Sequence, residues 1–320
     1  MRRVPRHGIN QTYNDCAAVI ISQLRKKIEE GTGEGMGMAD YFEKMYGKYF
    51  AGLPDKSAYL ARIGIEDENI PLTKEGLDRL QFAHLCAVPF ENIDLFDYDL
   101  KVDFGTEEMY DKVVTRRRGG YCFELNSIFM ALLKAVGFEV HPAGVRIVAG
   151  RSDGNLPAIA HRASIVTIGG KRYYSDVGFG MTTAPGISIC IDESGEQDVQ
   201  GDTYTVEDRP YNNKVIIKHS DQGPSPLFMF VPDPFNVLDF IAYNTNMQIA
   251  GFRAKRIANL RKPDGSISVD GDIFRRTQNG ERIETELSSA GDAFKVLSEE
   301  FGMLLTEPLC DIAVKSPSPF

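Results

Sequence analysis

The sequence contains no apolar run approaching the ~20 residues that a bilayer-spanning helix requires, so no membrane span and no membrane partner is expected. It also lacks an excess of basic charge. Lys and Arg total 36 against 45 Asp and Glu, a formal net charge of −9, and nucleic-acid binding calls for a basic face instead. The five cysteines, Cys16, Cys86, Cys122, Cys190 and Cys310, are odd in number and widely scattered. That spacing excludes a disulfide framework and a CxxC metal pattern, and it fits a reducing, cytoplasmic setting. His84 and Cys86 stand two apart in a helical stretch and do not share a face, so no metal is expected. No Walker or GxGxxG phosphate loop is present, because the Gly31–Gly35 stretch has no strand before it. Internal repeats and low-complexity tracts are missing as well. The basic start, Met1-Arg2-Arg3, is followed by Asn10, Gln11, Asn14 and Asp15 and not by a compact apolar core, which argues against a signal peptide.

What is there is ordinary for a globular chain of 320 residues: 42% hydrophobic and 25% charged residues, enough for two or three domains. Residues 1–38 read as an extension, with Ala17–Ile28 as a helix stopped by glycines; a translation start at Met36 or Met38 is an alternative. Residues 39–138 carry helical spacing. Tyr41, Met45 and Tyr49 form one stripe; Leu77, Leu80, Phe82, Ala83 and Leu85 form another, entered through Pro71 and Thr73. The strongest pattern runs from Phe123 to Val136, with Gly137 as its natural stop.

From Phe138 the period changes to two. Val140–Val148, Ala163–Ile168, Lys171–Val177, Tyr204–Val206 and Val215–Lys218 read as strands within residues 139–233. The proline cluster Pro224–Pro234 reads as a linker. Residues 234–320 are mixed, with Arg275–Thr277 beside Arg282–Glu284 around an Asn279-Gly280 turn and a helix over Gly291–Phe301. The fold class is therefore α+β.

Chemistry concentrates at Arg116–Asn126. Gly119 and Gly120 permit a sharp turn that delivers Cys122 to the first turn of the strong helix. There the positive end of the macrodipole favours the thiolate, the nucleophilic form, and unpaired amides can hold an oxyanion. The structural alternative is a small buried core cysteine. Further on, Gly169-Gly170 reads as a two-residue hairpin turn. Pairing Ile168 with Lys171 puts Asp176 opposite Ala163, so His161 shares the face of Asp176 as a diagonal neighbour ~7–8 Å away. A carboxylate so placed orients an imidazole, and the order Cys122, His161, Asp176 is that of a nucleophilic triad. A surface His beside a surface Asp is the plain alternative.

Arg118–Asn126, R-G-G-Y-C-F-E-L-N, closely resembles the active-site signature of arylamine N-acetyltransferases. Val88–Asp94, V-P-F-E-N-I-D, and Tyr173–Gly180, Y-Y-S-D-V-G-F-G, resemble two further segments of that family, and the similarity runs from about Tyr59 to Leu305. The resemblance implies an N-terminal helical bundle holding Cys122, a central β-barrel holding His161 and Asp176, and a C-terminal α/β lid around a cysteine-protease-like core. It implies acetyl-CoA as donor, an arylamine, arylhydrazine or arylhydroxylamine as acceptor, and a ping-pong acetyl-cysteine mechanism. It further implies Phe90 and Phe179 in the acceptor pocket, Gly180 near the cofactor entrance, and Glu91 with Arg118 as a supporting ion pair. Core packing remains the alternative for the two phenylalanines. A Ser-Thr-His-Pro-like stretch common in the family is replaced by Asn244–Phe252, so substrate choice is where the likeness is thinnest. Sister activities on the same fold are a macrolactam-forming amide synthase and a malonyl- or propionyl-CoA N-acyltransferase. A thioesterase or peptidase-type hydrolase and a silent binding protein are the remaining alternatives.

Overall fold

A computed structural model describes residues 37–151, 156–181, 184–250 and 252–311. The helix expected over Ala17–Ile28 lies outside them, as does the 1–38 extension apart from its last two residues. The chain divides into two compact units, Met1–Ala51 and Gly52–Phe320. In the first, α1 (Met38–Tyr46) runs into a 3-10 turn at Gly47–Tyr49. The expected Tyr41–Met45–Tyr49 stripe is not a buried face: Tyr41 and Met45 are exposed, and Phe42 instead meets the rings of Tyr46 and Phe50. The tighter winding from Gly47 onward breaks the four-residue repeat that such a stripe needs.

The second unit is α+β. Its helical part holds α2 (Lys56–Arg62), α3 (Lys74–Ala87), α4 (Ile93–Phe96), α5 (Thr106–Tyr110) with a π-turn at Asp111–Thr115, and α6 (Cys122–Val136). Thr73 caps α3 by accepting the Gly76 amide. In α3 the buried face is Leu77, Leu80, Gln81 and His84, while Phe82, Ala83 and Leu85 are half-buried. Twelve consecutive residues of α6, Cys122 to Leu133, are buried, as expected of a helix enclosed on all sides. Gly137 ends it in the left-handed region at φ 114°, donating to Leu133 and Lys134.

A two-residue strand, β1 (Phe90–Glu91), precedes α4. The remaining strands are β2 (Glu139–Ile147), β3 (His161–Ile168), β4 (Lys171–Ser175), β5 (Ile189–Cys190), β6 (Gln197–Val199), β7 (Asp202–Arg209), β8 (Asn213–Ser220) and β9 (Gly223–Phe230). They form one antiparallel sheet in the order β5-β4-β3-β2-β9-β8-β7-β6. It is nearly closed. Where backbone pairing stops, the Gln197 amide bonds both the N–H and the C=O of Cys190 at 2.8 Å, joining the two outer strands. Ala143, Val145, Ile165, Tyr174, Phe228 and Phe230 belong to its buried core.

The linker expected at Pro224–Pro234 is a correction: Pro224 and Pro226 lie inside β9. The reason is local. β9 pairs with β8 along its length but with β2 only over Phe228–Phe230, so the prolines sit where one side of the strand has no ladder to serve. A register shift at Ile216/Ile217 accompanies them.

The rest of the unit holds α7 (Asp239–Ala250), β10 (Ile257–Lys262), β11 (Gly265–Asp270), β12 (Ile273–Gln278), β13 (Glu281–Glu286) and α8 (Ala290–Glu299). The expected hairpin forms, with Arg275 opposite Glu284 and both Asn279 and Gly280 at positive φ. The sheet order is β1-β10-β11-β12-β13, so this C-terminal sheet borrows its first strand from the helical part of the chain.

Candidate active site

Cys122 owes its position to the turn before α6. The Glu91 amide bonds the Gly120 carbonyl at 2.9 Å, which ties the turn to β1. A Cβ on Gly119 would stand 1.8 Å from the Pro89 carbonyl oxygen, so no other residue fits there. Arg118 donates to Glu91 from Nε at 3.0 Å and Nη2 at 2.7 Å, and to Asp94 at 2.8 Å; this is the ion pair expected from the resemblance. Lys112 joins the cluster, reaching Glu124 and Asp94 at 2.7 Å each. Burial alone would raise the Asp94 carboxyl, but Lys112 and Arg118 hold it down to about 2. Glu124 uses its other oxygen to accept the Tyr121 amide at 2.9 Å, capping the helix that opens with Cys122. Cys122 is 3% exposed, and its sulfur lies 3.9 Å from the Ala160 carbonyl oxygen.

His161 and Asp176 meet as the hairpin register required. Ile168 pairs with Lys171 and Ser164 with Ser175 across Gly169-Gly170, and His161 Nε2 lies 2.6 Å from Asp176 Oδ2. Both side chains are buried. Asp176 is held on every side. Tyr174 OH donates to Oδ2 at 2.9 Å, while Asn126 Nδ2 and the Gly178 amide donate to Oδ1 at 2.8 Å each. Burial pushes Asp176 up, but His161 and these donors bring its carboxyl below the ordinary range. Burial pushes His161 down, yet Asp176 and, to a smaller extent, Cys122 raise it to about 10. With Nε2 committed to Asp176, Nδ1 is the nitrogen left for the sulfur. The imidazole stacks on Phe228 at 6.2 Å and meets Phe179 edge-on at 5.8 Å, which fixes its plane.

Cys122 and His161 form one wall of a cavity of about 250 Å³. Phe90, Phe179 and Gly180, the three positions carried over by resemblance, line it together with Ile147, Met247 and Phe252. A Cβ on Gly180 would stand 2.5 Å from the Phe90 ring, so the missing side chain makes room for the pocket wall. A Cβ on Gly178 would press on Cys122 Cα and on Asn126 Nδ2, both at 2.7 Å.

Residues 73–310 match the model of a family described as N-acetyltransferase. Human arylamine N-acetyltransferase 1 is 26% identical over 268 residues, spanning 77% of this chain and 90% of that protein. The arylamine N-acetyltransferase of Mycolicibacterium smegmatis is 39% identical over 183 residues, 56% of this chain and 66% of its own. The solved structure of the Mycobacterium marinum arylamine N-acetyltransferase in complex with CoA superposes with a TM-score of 0.71 at 26% identity, covering 78% of this chain and 93% of that one. The chain belongs to the arylamine N-acetyltransferase family. It is an acetyltransferase.

Two groups of this acetyltransferase site were missed in the sequence. Asn126 stands one helical turn from Cys122 and binds three partners: Asp176, the Arg162 carbonyl at 2.6 Å and the Val177 amide at 3.0 Å. The i, i+4 spacing from Cys122 was the available signal. Tyr174 precedes Asp176 by two in an extended segment, so period two already placed it on the same face. In the divergent Asn244–Phe252 stretch, Asn244 accepts from Tyr121 OH and donates to the Val102 carbonyl at 2.9 Å. Met247 and Phe252 of the same stretch reach the cavity. His84 hydrogen-bonds Tyr59 OH at 3.0 Å, and burial depresses it to about 3.

Proposed function

We propose that the chain transfers an acetyl group from acetyl-CoA to the nitrogen of arylamines, arylhydrazines or arylhydroxylamines through an acetylated Cys122. One observation carries this reading: an imidazole bonded to Asp176 shares the wall of a predominantly apolar cavity with Cys122. The high affinity of His161 for a proton favours a resting thiolate–imidazolium pair. The thiolate attacks the thioester carbonyl, a carbon–sulfur bond forms, and negative charge develops on the carbonyl oxygen. The Glu124 and Leu125 amides are taken by the Tyr121 carbonyl, and the Cys122 and Phe123 amides at the open helix end meet no acceptor among the described residues, which leaves them for that oxygen. Collapse expels the CoA thiolate, which takes the proton from His161.

The amine then attacks acetyl-Cys122. His161, now neutral, accepts the proton from the amine nitrogen as the tetrahedral adduct forms. Collapse releases the amide and regenerates the Cys122 thiolate beside a protonated His161, so protons balance over the cycle. Apolar cavities of ~150 Å³ are large enough for benzene, so about 250 Å³ suits one substituted ring beside the acetylated sulfur.

Mass spectrometry after brief exposure to acetyl-CoA tests the reading, with Cys122→Ala alongside. One acetyl group on Cys122, discharged by an arylamine, is the expected result. Loading from malonyl- or propionyl-CoA but not acetyl-CoA moves the donor to a sister activity. Rapid acyl-CoA hydrolysis without amine makes the chain a hydrolase. No adduct from any thioester removes Cys122 from the chemistry.

A further inference from the structure

Arg162 follows His161 in β3 and is completely buried. Strand alternation sends its side chain away from His161, toward the helical side of the sheet. Its guanidinium lies 4.8 Å from the Phe240 ring centroid and 5.5 Å from that of Phe104. Nη2 contacts Met130 Sδ at 3.8 Å. Nε and Nη1 have no hydrogen-bond partner among the described residues, and no described carboxylate pairs with this cation.

No other buried cation among the described residues is left this way. Lys112, Arg118 and Arg256 each meet carboxylates, and Arg62 donates to the Val113 and Ala87 carbonyls. A buried charge without a partner is strongly unfavourable, so its persistence calls for a compensating charge elsewhere. Cys122, Asn126 and Met130 follow one another at single-turn spacing on α6. Asn126 bonds both Asp176 and the Arg162 carbonyl, and Met130, one turn further along α6, touches the guanidinium. Burial pulls Arg162 down and the Cys122 charge opposes it; at about 9 the side chain stays a cation at neutral pH.

The charges then balance. A thiolate, an imidazolium and the Asp176 carboxylate leave one buried negative charge, which Arg162 cancels. In the acetyl-enzyme His161 is neutral, and Asp176 and Arg162 again cancel. We infer that Arg162 is a positioning residue, a fixed buried countercharge that holds the Cys122–His161 pair ionised. This rests on the reading of Cys122 as nucleophile. The ionisable groups facing the pair are His161, Tyr174, Asp176 and Tyr121, with Lys134 on the exposed turn of α6 nearest the guanidinium.

Arg162→Met and Arg162→Gln in the full chain test the inference. The rate of Cys122 alkylation by iodoacetamide is read from pH 5 to pH 9 by peptide mass spectrometry, beside urea unfolding. Unit charges ~10 Å apart at an effective dielectric of ~20 change an ionisation equilibrium about tenfold. Both variants are therefore expected to alkylate about tenfold more slowly at pH 6–7 and to converge on the unaltered rate by pH 9. Arg162→Met, whose apolar side chain suits the slot between the rings, keeps or gains stability. An unchanged profile in a folded variant, or an equal loss at every pH, overturns the inference; unfolding of both variants assigns Arg162 a structural role and overturns it too. Failure of Cys122 in the unaltered chain to react ahead of the other cysteines refutes the nucleophile reading itself, and the variants play no part in that result.

Discussion

Replacing Asp176 by asparagine keeps the shape of the side chain and removes its charge. Two of its four partners, Asn126 Nδ2 and the Gly178 amide, are donors at 2.8 Å and will take the new amide oxygen. The amide nitrogen then faces His161 Nε2, which has to accept. A neutral imidazole accepting at Nε2 carries its proton on Nδ1, the nitrogen that faces the sulfur, and it can no longer take the thiol proton. Without the carboxylate, the largest of the forces that lift His161 to about 10 disappears while burial remains, so the ring holds its proton far less tightly. Removing one partner of a buried ion pair costs ~3–5 kcal/mol, or ~10³-fold in the balance between the ionised and neutral Cys122–His161 pairs. Iodoacetamide alkylation at pH 7, with acetyl loading from acetyl-CoA, is the assay, and both should fall about a thousandfold. An Asp176→Asn chain that is folded by circular dichroism and keeps more than a tenth of the unaltered rate would refute this account of His161.

Gly178→Ala puts a Cβ against the Cys122 backbone and a thrice-bonded amide, neither of which has room to move. A destabilisation of about 2–3 kcal/mol is expected, with acetyl loading down more than tenfold; urea denaturation and mass spectrometry report the two. Lys112→Met leaves Glu124 and Asp94 buried without their shared cation, and should cost about 3–5 kcal/mol in the same unfolding assay. Because His161 is raised in the folded state, its contribution to stability is complete below about pH 6.5 and drains away as pH climbs through about 10. The unfolding free energy of the unaltered chain should therefore drop by about 3–5 kcal/mol relative to His161→Gln between pH 6.5 and pH 10.

The parts legible in the sequence were those fixed by neighbours along the chain. Two glycines at 169–170 set a hairpin register, and that register alone carried His161 to Asp176. Helical periodicity with a terminal glycine located α6, and hence the helix-start setting of Cys122. What stayed hidden depends on residues far apart. The prolines of β9 were read as a linker because sequence does not say which side of a strand lacks a partner. Glu91 and Arg118 came only through resemblance. Lys112 joins them from a π-turn that no periodicity marks. Arg162, one residue before the strand expected over Ala163–Ile168, was not singled out, since its burial between two rings is decided by Phe104 and Phe240.

The borrowed strand β1 sets an order of events during folding. Phe90 pairs with Asn259 in one direction and touches Gly120 in the other, two residues before the nucleophile. Asn92, just after it, takes the Ile257 amide and donates to the Phe252 and Lys255 carbonyls. The turn that presents Cys122 is therefore clamped by chain made much later, with all eight strands of the larger sheet coming in between. Contacts of such long sequence separation form late and slowly. On a ribosome, the cysteine helix and the hairpin bearing His161 and Asp176 can both assemble before residues 252–259 emerge. The thiol therefore meets the pocket walls supplied by Met247, Phe252 and Ile257 only among the last steps of folding, after its partners His161 and Asp176.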